Sequence, residues 1–304
     1  PLYISQFLGT HNSAISRRYT HSQGDFNLNL ADPNQFLSIP RLLDRGVRQI
    51  ELDIVWDNKL KQIKICHNHF SDKLNWLLCN NNFELPYALA QIRSWIDNFK
   101  NNNPNEALFL IIYMDINQAL PQDVISILDN DFGVLNPYIY LKNETKANML
   151  DTQSLSKHSL SSQNKHIIIT ADSDEDISSI NASNIVFTKI ENANKTPLVH
   201  LDVNTFLNSG ASCNSSLKYN EMESVFADSV FNLFRVQEDR TLFGRLSSKP
   251  SGDNFSTDVI TNYNIPKILN CPINIIGMDL LGFTCGLKGC SFSQDVNLNE
   301  DPRF

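Results

Sequence analysis

Apolar positions along this chain follow two spacings. Short alternating or continuous apolar runs predict strands over residues 3–8, 48–55, 62–66, 108–113, 166–170, 184–188, 231–236 and 273–278. Between them, apolar residues at three- and four-residue steps predict helices. The clearest carries Leu85, Leu89, Ile92, Ile96 and Phe99 and ends at Asn101 to Asn103 and Pro104. Ser38-Ile39-Pro40 reads as another helix start, with Ser as cap and Pro in the first turn, and Gly46 suits its C-terminal end. Residues 121–128 read as a third helix, and the serine-rich stretch 154–164 as a surface loop. Strands alternating with helices predict βαβ units and a parallel sheet. About eight strands over this length fit a (β/α)8 TIM-type barrel, regular or distorted, better than a small open sheet. No repeat, coiled coil or inter-domain linker stands out, so one domain over 1–304 is expected.

Composition narrows the partners. The 304 residues are 41% hydrophobic and 19% charged, enough to bury a sizeable core, with a formal net charge of −8. No Lys/Arg run exceeds two residues, which argues against nucleic acid as a partner. The longest apolar run, 107–114, has strand length, far short of the roughly 18 residues of a transmembrane segment. Six cysteines stand at 66, 79, 213, 271, 285 and 290 without C-x-x-C spacing, so structural zinc is not expected. Three disulfides and six buried thiols both stay open, and Cys285–Cys290 could close a small loop. Sequons at Asn143, Asn181, Asn194, Asn214 and Asn254 carry no compartment, because the chain is rich in Asn, Ser and Thr.

Side-chain alternation in the strand over 48–55 brings in chemistry. Ile50, Leu52 and Ile54 share one face, and Glu51, Asp53 and Val55 the other. The aliphatic face suits packing under helices, which turns two carboxylates toward the barrel interior or its mouth. Burying them unpaired is costly, so they need a cation or basic partners such as Arg48 or Arg45. His11 ends the first strand, and Asn12 beside it offers an amide oxygen suited to a hard cation. His67 follows the strand over 62–66, with His69 two residues on. Asp115 follows the strand over 108–113, as a further acidic ligand or a loop aspartate.

Gly9-Thr10-His11-Asn12-Ser13, Gly46-Val47-Arg48-Gln49-Ile50-Glu51-Leu52-Asp53 and His67-Asn68-His69 together resemble the catalytic domain of phosphatidylinositol-specific phospholipases C. Asn12, with Glu51 and Asp53 two apart, is similar to the calcium-dependent branch; the calcium-independent bacterial branch uses an arginine in place of the metal. Weaker likenesses run through 231–239 and 273–279 and extend over the chain as a single catalytic domain. The resemblance implies cleavage of phosphatidylinositol to diacylglycerol and inositol 1,2-cyclic phosphate. His11 would stabilise the phosphoryl transition state and help activate the inositol 2-hydroxyl. Asn12, Glu51, Asp53 and Asp115 would hold Ca2+, with Glu51 as general base. His67 would protonate the leaving oxygen, with His69 as the alternative, and Arg48 would brace the carboxylates. The implied partner is phosphatidylinositol in a membrane, met peripherally, with Phe70, Trp76, Leu77 and Leu78 as candidate contacts. The expected location is secreted or extracytoplasmic. No basic residues near Thr170-Ala171-Asp172 match those that read extra ring phosphates, so the unphosphorylated headgroup is expected.

Three rivals share some of these residues. Glycerophosphodiester phosphodiesterases and spider-type phospholipases D carry a similar Glu-x-Asp and histidine set, but the former open on His-Arg-Gly. An inactive lipid-binding barrel would be expected to lose an acid or base, whereas His11 and His67 are both present. Secreted calcium binding without catalysis would rest on Asp172-Ser173-Asp174-Glu175-Asp176, which mimics the start of an EF-hand loop yet lacks the glycine and glutamate that complete one.

Overall fold

The computed structural model describes residues 7–14, 16, 19, 35, 37–66, 84–116, 120–145, 148–151, 154–172, 178–188, 198–202, 233–237, 273–278, 283–286 and 289–292; from residue 198 onward the description is of backbone strands. The frame is a nine-stranded sheet. Its strands are β1 (Phe7–Thr10), β2 (Val47–Asp57), β3 (Gln62–Ile65), β4 (Leu110–Ile116), β5 (Ile167–Asp172), β6 (Val186–Phe187), β7 (Leu198–Asp202), β8 (Leu233–Gln237) and β9 (Ile273–Met278). Eight of them run parallel in the order β6-β5-β4-β2-β1-β9-β8-β7, and β3 folds back antiparallel on β2. The sheet curls until β7 comes near β5, although no ladder joins β6 to β7 among the described residues. A separate hairpin pairs β10 (Phe283–Gly286) with β11 (Gly289–Phe292), setting Cys285 opposite Cys290 in backbone register.

Four α-helices lie among the described residues: α1 (Ile39–Asp44), α2 (Leu85–Asn102), α3 (Val124–Phe132) and α4 (Lys157–Ser162). The expected α1 forms with Pro in its first turn, and Gly46 follows it at φ 90°, a left-handed conformation that glycine adopts without steric cost. Ser38 stands at the cap, but its side chain makes no capping bond. The Tyr19 hydroxyl takes that role: it accepts from Ile39 N–H at 2.7 Å and donates to Gln91 Oε1 at 2.8 Å, tying α1 to α2. Burial raises the Tyr19 pKa well above the ordinary phenol range, so the group stays a neutral donor and acceptor.

The stretch over 154–164 is not the loop its composition suggests. It contains α4, opened by a capping box in which Ser159 N–H donates to Ser156 Oγ (3.0 Å) and Ser156 N–H donates to Ser159 Oγ (2.9 Å). Leu160 is buried beneath it. Local capping and one apolar anchor outweigh the polar composition.

The sheet separates two cores. On its outer face Ile50, Leu52, Ile54, Leu110, Ile112, Met114, Ile167 and Ile169 pack against the apolar stripes of α1, α2 and α3. On its inner face Phe7, Phe109, Ile111, Tyr113, Ile168 and Phe187 form a second cluster. Strand alternation assigns each residue to one or the other, as the sequence pattern anticipates.

At the amino end of β5, His166 is 1% exposed. Lys100 Nζ lies 2.7 Å from its Nε2 and Leu108 O lies 3.2 Å from its Nδ1. An ammonium can only donate, so Nε2 accepts and Nδ1–H donates, the neutral tautomer. Burial, then the Lys100 charge, lowers the His166 pKa. A depressed histidine binds its proton more tightly in the unfolded chain, so its contribution to stability is present at neutral pH. It is lost as pH falls below about 6.5, the unfolded value. Asp131, raised to about 6 by burial and then by Glu84, works in the opposite direction over the acid range, so whole-protein melting alone does not isolate the histidine. Melting curves at pH 7.5 and 5.5 are expected to show a larger acid loss in the wild type than in His166→Gln; parallel losses would contradict this reading of His166.

Candidate active site

β1 runs into a tight turn over residues 11–14, and that turn is bolted to β2. Ser13 N–H donates to Glu51 O at 3.1 Å, and Glu51 N–H donates to Ser13 Oγ at 2.8 Å. The Thr10 and Ser13 hydroxyls are 2.6 Å apart, and Gln35 Nε2 donates to His11 O at 2.8 Å. Thr10, Asn12, Ser13 and Gln35 are all fully buried. Asn12 sits at φ 44°, a left-handed conformation that asparagine tolerates better than most residues. The small hydroxyls after Gly9 therefore fix the backbone, and His11 and Asn12 are what that backbone presents.

The carboxylates meet them from β2. Glu51 and Asp53 are 2% and 1% exposed, on the inner face that alternation assigns them. Asp115 joins from β4, where strand register sets it level with Asp53. Glu51, Asp53 and Asp115 each offer an oxygen, all within 4.8 Å of one another. One terminal atom of the Asn12 amide lies 2.8 and 3.1 Å from the two Asp53 oxygens, and the other lies 3.2 Å from His11 Nε2. With nitrogen toward Asp53, the amide donates to both carboxylate oxygens and accepts from His11 Nε2–H. His11, Asn12, Glu51, Asp53 and Asp115 are thus five expected site residues that the fold gathers at one place.

Arg48 does not join them. It shares strand parity with Ile50, not with Glu51 and Asp53, and so turns to the helical side. Its guanidinium lies 5.3 Å from the Trp95 ring centre and 5.8 Å from that of Phe99. Nη1 donates to Leu43 O at 3.0 Å and Val47 O at 2.7 Å. Burial lowers its pKa, partly offset by Glu106. The expected bracing of the carboxylates by Arg48 is therefore corrected: the residue packs α2 against the sheet. Arg45 is exposed at the end of α1.

His67 and His69 lie outside the described residues, as do Phe70, Trp76, Leu77 and Leu78. The preceding residue, Cys66, donates its N–H to Asp53 O at 2.9 Å, and its sulfur is in a disulfide. The antiparallel return of β3 thus brings the chain back beside Asp53 just before the second histidine motif. Sequence reasoning overlooked Gln35, which has no local signal in the sequence. Asp172, which the sequence sets at the head of the EF-hand-like run, has its backbone level with Asp115 in the β4–β5 ladder.

Imidazole, amide and carboxylates thus gather at the carboxyl ends of the first strands of a parallel α/β sheet, where catalytic domains of this architecture carry their active sites. The chain belongs to the Rv2075c PI-PLC-like domain family, whose profile matches residues 1–283. Over 135 residues, 42% of this chain, it is 30% identical to the uncharacterized protein Rv2075c of Mycobacterium tuberculosis; the match spans 26% of that protein. The fold is similar to that of the phosphatidylinositol-specific phospholipase C from Listeria monocytogenes. That likeness has a TM-score of 0.54 at 13% identity over 92% of this chain and 89% of that one. It is also similar to a double mutant of the enzyme from Staphylococcus aureus, with a TM-score of 0.52 at 12% identity over 96% and 90% of the two chains. L. pealei PLC21 matches with a TM-score of 0.51 at 14% identity over 91% of this chain and 34% of that one.

Ser13→Ala removes the acceptor for Glu51 N–H and leaves a buried donor unpaired, which costs about 1–3 kcal/mol. The expected outcome is a lower midpoint in denaturant with an unchanged slope; an unchanged midpoint would contradict the bolted turn.

Proposed function

We propose that this chain is a phosphatidylinositol phospholipase C that cleaves phosphatidylinositol to diacylglycerol and inositol 1,2-cyclic phosphate with calcium, as one catalytic domain over 1–304. The observation that carries the reading is the Asn12 amide set between Asp53 and His11 Nε2, beside the clustered oxygens of Glu51, Asp53 and Asp115.

The donor set fits a hard cation. All four side chains offer oxygen, the ligand type of calcium and magnesium. The oxygens of Glu51, Asp53 and Asp115, all within 4.8 Å of one another, can converge on one such ion. Asn12 fits as a fourth ligand, since its amide already lies against Asp53 and, turned over, would bring its oxygen to an ion held there.

Bound there, calcium would neutralise charge building on the phosphate and make the inositol 2-hydroxyl more acidic. Glu51 would take the proton of that hydroxyl as it attacks phosphorus. His11 would donate a hydrogen bond to the phosphoryl oxygens and hold the forming charge. His67, or His69 in its place, would give a proton to the departing diacylglycerol oxygen, a poor leaving group unless protonated. The work of Arg48 is structural. The disulfide at Cys66 supports an oxidising, extracytoplasmic setting at a membrane surface. No helix among the described residues is long and apolar enough to cross a membrane.

Turnover of phosphatidylinositol vesicles with product analysis tests the reading. Cyclic inositol phosphate and diacylglycerol are expected with calcium, and at least a hundredfold loss in chelator. Full activity in chelator would sink the metal, and hydrolysis of glycerophosphocholine in place of phosphatidylinositol would move the chain to the rival diesterases. His11→Ala is expected to cost about 10²–10⁴ in kcat, the usual worth of a positioned acid or base. Of His67→Ala and His69→Ala, the one that falls equally far is the general acid; wild-type rates in both would refute an imidazole acid.

A further inference from the structure

Gln49 is the residue on β2 that the site leaves unused. It stands two positions before Glu51, on the same strand face as Glu51 and Asp53 and roughly 6.5 Å further into the sheet's interior. It is fully buried, and neither its Oε1 nor its Nε2 meets a hydrogen-bond partner. A buried amide with both ends unpaired is destabilising, and a leucine or methionine of similar volume would be more comfortable there.

On one side of it the neighbouring strands carry no side chains at its level. In the parallel ladders Gln49 is level with Gly9 of β1, and Gly9 is level with Gly277 of β9, so two adjacent positions in the row carry no side chain. One row nearer the carboxyl ends, Glu51 is level with Tyr113 and Tyr113 with Thr170. Thr170 is on the inner face with Ile168, fully buried, and its Oγ1 is also without a hydrogen-bond partner. Two unpaired polar groups therefore lie in the interior, below or level with the carboxylate that alternation directs the same way.

We propose that Gln49 and Thr170 form a polar floor beneath the cation site, holding internal water that hydrogen-bonds the Glu51 carboxylate and fixes its orientation toward the ion. A buried water needs two to four polar partners, and the Gln49 amide, the Thr170 hydroxyl and Glu51 supply them. Gln49 is thus a positioning residue that acts through Glu51. Outer partners of this kind typically change metal affinity 10–100-fold when removed. The inference rests on the calcium reading above.

Calorimetric titration of the whole chain with calcium, paired with melting of the calcium-free protein, tests it. Gln49→Leu is expected to bind calcium 10–100-fold more weakly than wild type while melting at the same temperature or higher. The isosteric Thr170→Val is expected to weaken binding in the same direction without loss of stability, and it stands in if Gln49→Leu does not fold. Wild-type affinity in both variants would overturn the polar floor and leave the calcium site standing. Weaker binding only together with a lower melting temperature would assign Gln49 to packing and overturn the proposal. A wild type that binds no calcium would remove both readings at once.

Discussion

Two carboxylates buried on the inner face of one strand set the terms for everything near them. Glu51 and Asp53 are almost wholly removed from water. A buried carboxylate without compensation costs several kcal/mol, comparable to the net stability of a domain. The surrounding structure answers that cost locally. Asn12 is forced into a left-handed backbone so that its amide meets Asp53. Ser13 pairs twice with the Glu51 backbone, and Gln35 reaches across from a distant segment to hold His11 in place. Cys66 donates to the Asp53 carbonyl as β3 returns. Each contact fixes a neighbour of the carboxylates, and a pre-positioned oxygen set is what a cation of high coordination number requires.

The outer face shows what secures this arrangement. The aliphatic positions that alternate with Glu51 and Asp53 pack beneath α1 and α2, so a one-residue slip of β2 would place both carboxylates under the helices. The hydrophobic core therefore enforces the register that keeps the carboxylates inward. Arg48 contributes from the same side, stacked on Trp95 and bonded to the end of α1.

Much of this was legible in the sequence because it depends on period-two alternation and strand order, which are local. The strand over 48–55, the helix from Leu85 and the cap glycine at 46 all appear where the pattern sets them. The role expected for Arg48 beside the carboxylates, as a nearby basic partner and by family resemblance alike, is contradicted by strand parity in this chain. The helix α4 was hidden because its driving forces, a serine capping box and the burial of Leu160, have no compositional signature. Gln35 and Thr170 could not be found from local pattern, since their significance comes from residues far away in sequence. The tie of Tyr19 to α1 and α2 is of the same kind.

We read the cluster of Asn12, Glu51, Asp53 and Asp115 as built around a cation. A crystal structure of the protein grown with calcium, with anomalous data collected at long wavelength, tests it most directly. An anomalous peak is expected with carboxylate oxygens of Glu51, Asp53 and Asp115 about 2.3–2.6 Å away, and with the Asn12 amide oxygen turned toward it. A structure in saturating calcium with no peak at the cluster, and with the Asn12 nitrogen still donating to Asp53, would contradict it.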